Sequence, residues 1–347
     1  MIGGLFKYGD LSTKIRAMKG KMLTEYDYEQ MMMKPNVKEV ALYLKNNTYY
    51  KEALKDLNER DIHRGKLEVM LYRSVVSDAL KIAKHLSGTE KKIYRYIYRK
   101  LEIEDLKKML RTLATGNSLE TLDRAGLFVS RYSRIDFDKS LAATNADELV
   151  ESLEGTNFYG LLRPLVSSTG EVDTFAAEMI LDLYYFQKTA KQVKKAESRT
   201  DQLLLEQLLG VEADFKNIFW IYRAKKYYHL NREMIFRYLI PHNYKLNQKT
   251  LTEMIETKSI EAFISRVEKT YYGQIIDFAH ERVELQAMSF IYKLQERSMR
   301  QKPFSIAPII GYMYLKETEV LNITNIVEGI RYNIGRDNIK GYLAGVK

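Results

Sequence analysis

The chain has 347 residues, 46% hydrophobic and 29% charged, a globular composition with enough apolar material for a core that needs no staples. It has no cysteine, which excludes disulfides, thiolate metal sites and cysteine nucleophiles and points to a reducing, cytosolic setting. The 55 basic and 45 acidic residues leave a net charge of +10, a mild attraction for an acidic partner. No apolar run approaches the ~18 residues that cross a bilayer, and the opening MIGGLFKYGDLSTKIRAMKG lacks a signal peptide's apolar core, so any membrane association is expected to be peripheral.

Only 5 prolines interrupt the chain, which suits long helices. No sustained alternation of apolar and polar residues supports sheet, and the expected fold is all-α. The first distinctive stretch is NNTYYKEAL, 46–54. Upstream of it, Asn36 and Glu39 read as an N-cap and first-turn negative charge that begin a short helix. Thr48 can then cap a second helix with its hydroxyl, placing Tyr50 and Leu54 on one buried face. LEVMLYRSVVSDALKIAKHL follows with a helical stripe of Leu67, Met70, Leu71, Val75, Ala79, Leu80, Ile82 and Ala83. Tyr96-Ile97-Tyr98 leads the next helical stretch, RKLEIEDLKKMLR, and a break is expected around Gly116–Asn117.

This order returns twice. EGTNFYGLL (154–162) supplies Thr156, Phe158 and Leu162, with Thr144 as expected N-cap and Asp147 as first-turn acid. The turn SSTGE (167–171), the helix FAAEMILDLYYFQKTAKQVKKA, and Trp220-Ile221-Tyr222 before RAKKYYHLNREMI come next, with Leu230 matching Leu106. After a break at Pro241–Asn247, EKTYYGQII (268–276) supplies Thr270, Tyr272 and Ile276, with Ser259 and Glu261 upstream. FAHERVELQAMSFIYKLQERSM, a break at KPFSIAP (302–308), and Tyr312-Met313-Tyr314 before LKETEVLNITNIV complete the pattern, offset by one residue so that Ile323 takes the leucine's place. The threonine anchors lie 108 and 114 residues apart. Three similar helical units are predicted, 1–115, 116–242 and 243–347, each running short helix, capped corner, long helix, aromatic-led helix. At that length a packed three-fold arrangement fits better than a solenoid, and the N- and C-terminal helices can pack together.

Chemistry is harder to find. The chain has no P-loop, no G-x-S-x-G elbow and no H-E-x-x-H, and its five histidines (His63, His85, His229, His242, His280) are scattered. Asp277 and His280 share a helix face at i, i+3, but a solvent-facing pair is the simpler reading than a metal site. Glu68 and Glu178 occupy similar places in their units and read as helix-packing or ion-pair residues. No catalytic, cofactor or metal residue is predicted. The basic, tyrosine-rich runs YRYIYRK and YRAKKYYHLNR raise an alternative, an RNA-binding helical protein that stacks bases and contacts phosphates. Their aromatics follow helical spacing as core residues do, so nucleic acid is not expected as a partner.

The opening YGDLSTKIRAMKGKML, the T-x-aromatic corners, the internal repetition and the final helix YLKETEVLNITNIVEGI together resemble the C subunit of bacterial and archaeal V-type (A/V-type) ATPases, whose eukaryotic counterpart is the V-ATPase d subunit. The resemblance covers essentially the whole chain. It departs where Thr13-Lys14 precedes Ile15-Arg16-Ala17 in place of the family's frequent Ala-Arg, and in the long polar segment 112–146. The resemblance implies a funnel of three helical domains, one copy per complex, on the cytoplasmic face of the membrane. Its implied partners are the D and F subunits of the central stalk and the membrane rotor ring of proteolipid subunits, with anionic lipid headgroups as candidates for the exposed basic residues. It implies a non-catalytic, cofactor-free rotor part that transmits torque between ATP hydrolysis or synthesis and proton or sodium movement.

Overall fold

A computed structural model describes residues 2–58, 60, 62–122, 127, 133–280 and 282–346; part of the polar segment 112–146 therefore lies outside the described residues. Along the chain run α1 (Ile2–Lys19), α2 (Glu25–Met32), α3 (Val37–Asn47), α4 (Arg64–His85) and α5 (Gly88–Ala114). Then come α6 (Phe137–Leu141), α7 (Ala146–Glu151), α8 (Asn157–Leu162), α9 (Thr174–Val193) and α10 (Arg199–Lys226). The remainder comprises α11 (Arg232–Arg237), α12 (Gln248–Glu256), α13 (Ile260–Glu268), α14 (Val283–Gln301), α15 (Ala307–Arg331) and α16 (Arg336–Lys340). No strand occurs among the described residues, only a single bridge between Val166 and Val172 that closes the SSTGE turn, where Gly170 takes φ +79. The fold is all-α.

Helix starts follow local chemistry. Thr24 and Asp27 form a capping box at α2, and the side chains of Asn36 and Ser259 accept from the amides three residues on, at the starts of α3 and α13. Before α7 the cap is Asn145 rather than Thr144. Asn145 accepts from the Glu148 amide, while the Thr144 amide and hydroxyl both donate to the Glu148 carboxylate, leaving Thr144 one residue outside the helix. The chain breaks at Gly116 (φ +73), at 241–247 and at 302–306 match the turn signals.

Two expectations need correction. Thr48 and Thr270 head short 3-10 turns, Tyr49–Lys51 and Tyr271–Gln274, and only Thr156 heads an α-helix, α8. The aromatic pairs also do not lead separate helices. Tyr96 and Tyr98 sit inside α5, Trp220 in the last turns of α10 and Tyr312 in the second turn of α15, while Leu230 falls beyond α10 altogether. Helices of 25 to 28 residues absorb both the predicted element and its surroundings, and an aromatic pair carries no register of its own.

The six long helices contact one another in a closed cycle: α4 with α5, α5 with α9, α9 with α10, α10 with α14, α14 with α15, and α15 back on α4. α1 lies against α15, and α16 contacts α2 and α15, so both chain ends are tied to the last long helix. Among the described residues the buried apolar side chains form four clusters. One draws mainly on α1, α4, α5, α10 and α15, with Val193 of α9 and Met299 of α14. Each of the others joins the distal half of one long helix to the next long helix and one corner: α5 with α9 and Phe158, α10 with α14 and Tyr272, α15 with α4 and Tyr50.

Candidate functional site

The predicted corner residues are all where packing would put them, in three separate clusters and not in one site. Tyr50, Leu54, Phe158, Leu162, Tyr272 and Ile276 are buried. The Thr48 hydroxyl accepts from the Tyr50 amide (3.2 Å), Thr156 from Phe158 and Tyr159 (3.1 and 3.4 Å), and Thr270 from Tyr272 (3.2 Å). Leu54 and Ile276 each donate an amide to the carbonyl of their tyrosine at 2.9 Å, so one helical turn brings aromatic and aliphatic side chains to the same cluster.

The sequence reading missed what the corners bind to. The Tyr50 hydroxyl donates to Glu319 of α15 (2.9 Å), and the Tyr272 hydroxyl to Asp214 of α10 (2.7 Å). Glu319 also accepts from the Tyr49 hydroxyl and the Leu23 amide, and Asp214 from the amides of Tyr244, Lys245 and Leu246. Glu102 of α5 is the third such acid; it accepts from the Ser133 hydroxyl (2.5 Å) and the Arg134 amide (3.3 Å). Each acid thus fastens the chain entering the next group of short helices. Burial pushes all three carboxyls up from their ordinary range, against the pull of these donors. Gly210 on α10 makes room for this approach, since a Cβ there would stand 2.9 Å from the Asn243 carbonyl.

The surroundings of the acids recur. Three residues on, Asn217 brackets the Ile240 backbone and Asn322 the Ala344 backbone, each with a donated and an accepted bond at 2.9 Å, while Asp105 receives the Tyr72 hydroxyl (3.5 Å). Nine residues on, Arg111 pairs with Glu178 (3.1 Å) and Arg223 with Glu284 (2.7 Å); at the third place the charges are exchanged, Glu328 pairing with Arg64 (2.5 Å). An acid followed three positions later by Asp or Asn at the same place in each long helix, at 102, 214 and 319, was the available signal.

Two residues before the acids stand Lys100, Glu212 and Glu317, and all three reach the wall of one cavity of about 870 Å³ lined by all six long helices. Its basic groups are neutralised by carboxylates. Lys100 meets Glu212 (3.0 Å), and Asp182 on α9 receives Lys107 (2.6 Å) from α5 and Lys216 (3.1 Å) from α10. Burial would raise the Asp182 carboxyl, but the two ammonium groups outweigh it and hold it down; Glu212 likewise raises Lys100 against its burial, while burial raises Glu317. Aromatic rings pave one wall, with Phe175 4.9 Å from Trp220 and Trp220 edge-on to Tyr238 at 5.9 Å.

Glu178 and Glu68 are ion-pair residues, the latter with Arg64 at 2.8 Å. Asp277 and His280 form an exposed pair at 2.7 Å, but in the turn after the third corner rather than on a helix. Among the described residues no cluster of His, Asp and Glu is arranged to hold a metal, and no helix is long and apolar enough to cross a membrane. In YRYIYRK, Tyr94 and Tyr98 are buried against each other (4.9 Å) and cannot stack bases; in YRAKKYYHLNR, Tyr227 and Tyr228 are exposed.

The chain matches the family described as ATP synthase (C/AC39) subunit over residues 11–342. It is similar to the C subunit of the A-type ATP synthase of Methanosphaera stadtmanae, at 25% identity covering 94% of this chain and 84% of that one. The proteins of the same description from Methanocaldococcus jannaschii (22% identity; 99% and 88% covered) and Pyrococcus furiosus (22%; 96% and 89%) are also similar.

Proposed function

The chain belongs to the ATP synthase (C/AC39) subunit family, and from that premise we propose that it is a non-catalytic rotor adapter of an A/V-type ATPase. In this reading it joins the D and F subunits of the central stalk to the membrane ring of proteolipid subunits, one copy per complex, and carries torque between ATP hydrolysis or synthesis and ion movement. It sits peripherally on the cytoplasmic face. Three interlocked units, with boundaries near 115/116 and 242/243, form its funnel, and the recurring acids at 102, 214 and 319 support that division.

The observation that carries the reading is the closed cycle of long helices around a charged, aromatic-lined cavity. A coupling must resist twisting. Close-packed helices deform little, and here contacts of the cycle are reinforced by ion pairs and buried acids that cross from one long helix to another stretch of chain. The cavity, with paired charges on its walls, suits reception of a polar helical shaft end.

Deletion of the chain from the assembled enzyme tests the proposal. ATP hydrolysis by the soluble head should continue while ATP-driven ion transport is lost; transport that persists unchanged would overturn it. The RNA-binding alternative predicts salt-sensitive binding of single strands by the purified chain, and the adapter reading predicts none.

A further inference from the structure

A second basin, of about 480 Å³, opens between α1, the first corner, α4 and α15, away from the paired charges of the central cavity. At its floor lies Lys316, 0% exposed. Its ammonium donates to the Tyr49 hydroxyl (2.6 Å) and rests over the rings of Tyr49 and Tyr50, 4.5 and 4.0 Å from their centroids. It makes no ion pair among the described residues; the Tyr49 hydroxyl stands between it and Glu319, and burial pushes it down to about 8, outweighing the Glu319 and Asp78 charges that favour its ammonium form. A buried ammonium held by a phenol and two ring faces retains two N–H donors and has no carboxylate in direct contact.

The rim repeats this imbalance. Lys21 just beyond α1, Lys55 beyond the first corner and Arg73 of α4 line the basin and pair with no carboxylate among the described residues. In the central cavity, by contrast, Lys100, Lys107, Arg111, Lys216 and Arg223 all have carboxylate partners. The basin's own acids do not close the gap. Asp78 already serves the Tyr312 hydroxyl (2.6 Å) and Lys81 (3.3 Å), leaving Glu52 and Asp56 at the rim against a larger number of lysines and arginines. The excess positive charge exceeds what one carboxylate neutralises and matches a phosphate, which carries about −1.5 to −2 and three acceptor oxygens.

We propose that this basin binds a phosphate-bearing anion, with Arg73 of α4 and Lys21, just beyond α1, contacting it at the rim and the buried Lys316 adding its charge from beneath the floor. The inference does not depend on the adapter reading. The same chemistry is offered by a lipid headgroup and by a free phosphate, and two probes separate them.

Inorganic pyrophosphate titrated calorimetrically into the full chain at low salt should bind saturably at one site, about tenfold more weakly in Lys316→Met and several-fold more weakly in Arg73→Gln. Arg73 is exposed, so its variant retains the fold even if the Lys316 variant does not. Co-sedimentation with vesicles containing an anionic phospholipid, lost in the same variants and absent with neutral vesicles, assigns the headgroup; binding of pyrophosphate without co-sedimentation assigns the free anion. No saturable binding by either probe, binding that both substitutions leave unchanged, or equally tight binding of an acidic peptide would overturn the proposal.

Discussion

The aromatic side chains of the first and third corners differ from that of the middle one by a single oxygen. Tyr50 and Tyr272 send a hydroxyl into the carboxylates of Glu319 and Asp214, whereas Phe158 lies edge-on to Tyr184 at 5.7 Å and leaves Glu102 to Ser133 and Arg134. All three rings are buried to the same degree. The ring's volume is therefore what a corner requires, and the hydroxyl is added where the facing acid has no side-chain hydroxyl supplied by its own loop. Burying the ring contributes ~3 to 5 kcal/mol, and the hydrogen bond to a charged acceptor ~1.5 to 3.

The largest effects should erase the difference. Tyr50→Ala, Phe158→Ala and Tyr272→Ala are each expected to destabilise the chain by ~3 to 5 kcal/mol in urea unfolding, because each empties a ring-sized volume in a packed cluster. A loss at Phe158 under half that at the tyrosines would mean that the oxygen, not the ring, holds the corner. Next in size come the exchanges between the two kinds of corner. Tyr272→Phe should lose ~1.5 to 3 kcal/mol, while Phe158→Tyr should gain nothing, since Glu102, the matching acid of that unit, already accepts from the Ser133 hydroxyl and the Arg134 amide. A Phe158→Tyr variant more stable than its parent would break the comparison.

The pH dependence separates the acids of the corners from the acid of the cavity. Burial raises Asp214 and Glu319 in the folded chain, so they bind protons more tightly there than when unfolded. Their contribution is fullest below the unfolded value of ~4 and declines as pH rises through the folded one. Asp182 is held down by Lys216 and Lys107, so its contribution is present above ~3.9 and fades as pH falls through its depressed folded value. Unfolding midpoints measured from pH 4 to 8 should therefore fall less steeply with pH in Asp214→Asn than in the parent. In Asp182→Asn, followed from about pH 2 to 5, a component of stability that grows with pH should disappear, and the reverse signs would contradict the assignment.

The corners could be read from sequence because everything they need is local: a threonine, an aromatic two residues on, an aliphatic four beyond, and helical spacing around them. The all-helical fold and the family resemblance followed from signals of the same kind. The acids could not be read that way. Each is one charged residue among several on its helix, and its partners can lie far off in the chain, as Glu319 and Leu23 do at 296 residues. The exchange of Arg and Glu at Arg64 and Glu328 further conceals the recurring ion pair. Tyr96, Trp220 and Tyr312 misled for the opposite reason, since a local aromatic pattern recurs in helices whose registers the buried acids set.

The smallest expected effect divides the corners along the same line. The Thr48 hydroxyl both accepts from the Tyr50 amide and donates to the Leu44 carbonyl (2.6 Å), and Thr270 does the same with Tyr272 and Val267 (2.6 Å). Each joins the end of one helix to the start of the next turn. Thr156 instead accepts from two amides and makes no such bond backwards. Threonine to alanine should cost ~1 kcal/mol at every corner for the lost cap, and somewhat more at Thr48 and Thr270, where a helix-end carbonyl also loses its donor. Serine keeps the oxygen and drops the methyl, so it should restore most of the loss at all three. If serine proves as costly as alanine at Thr48 and Thr270 but not at Thr156, the methyl's packing, and not the two-way hydroxyl, sets the tyrosine corners apart.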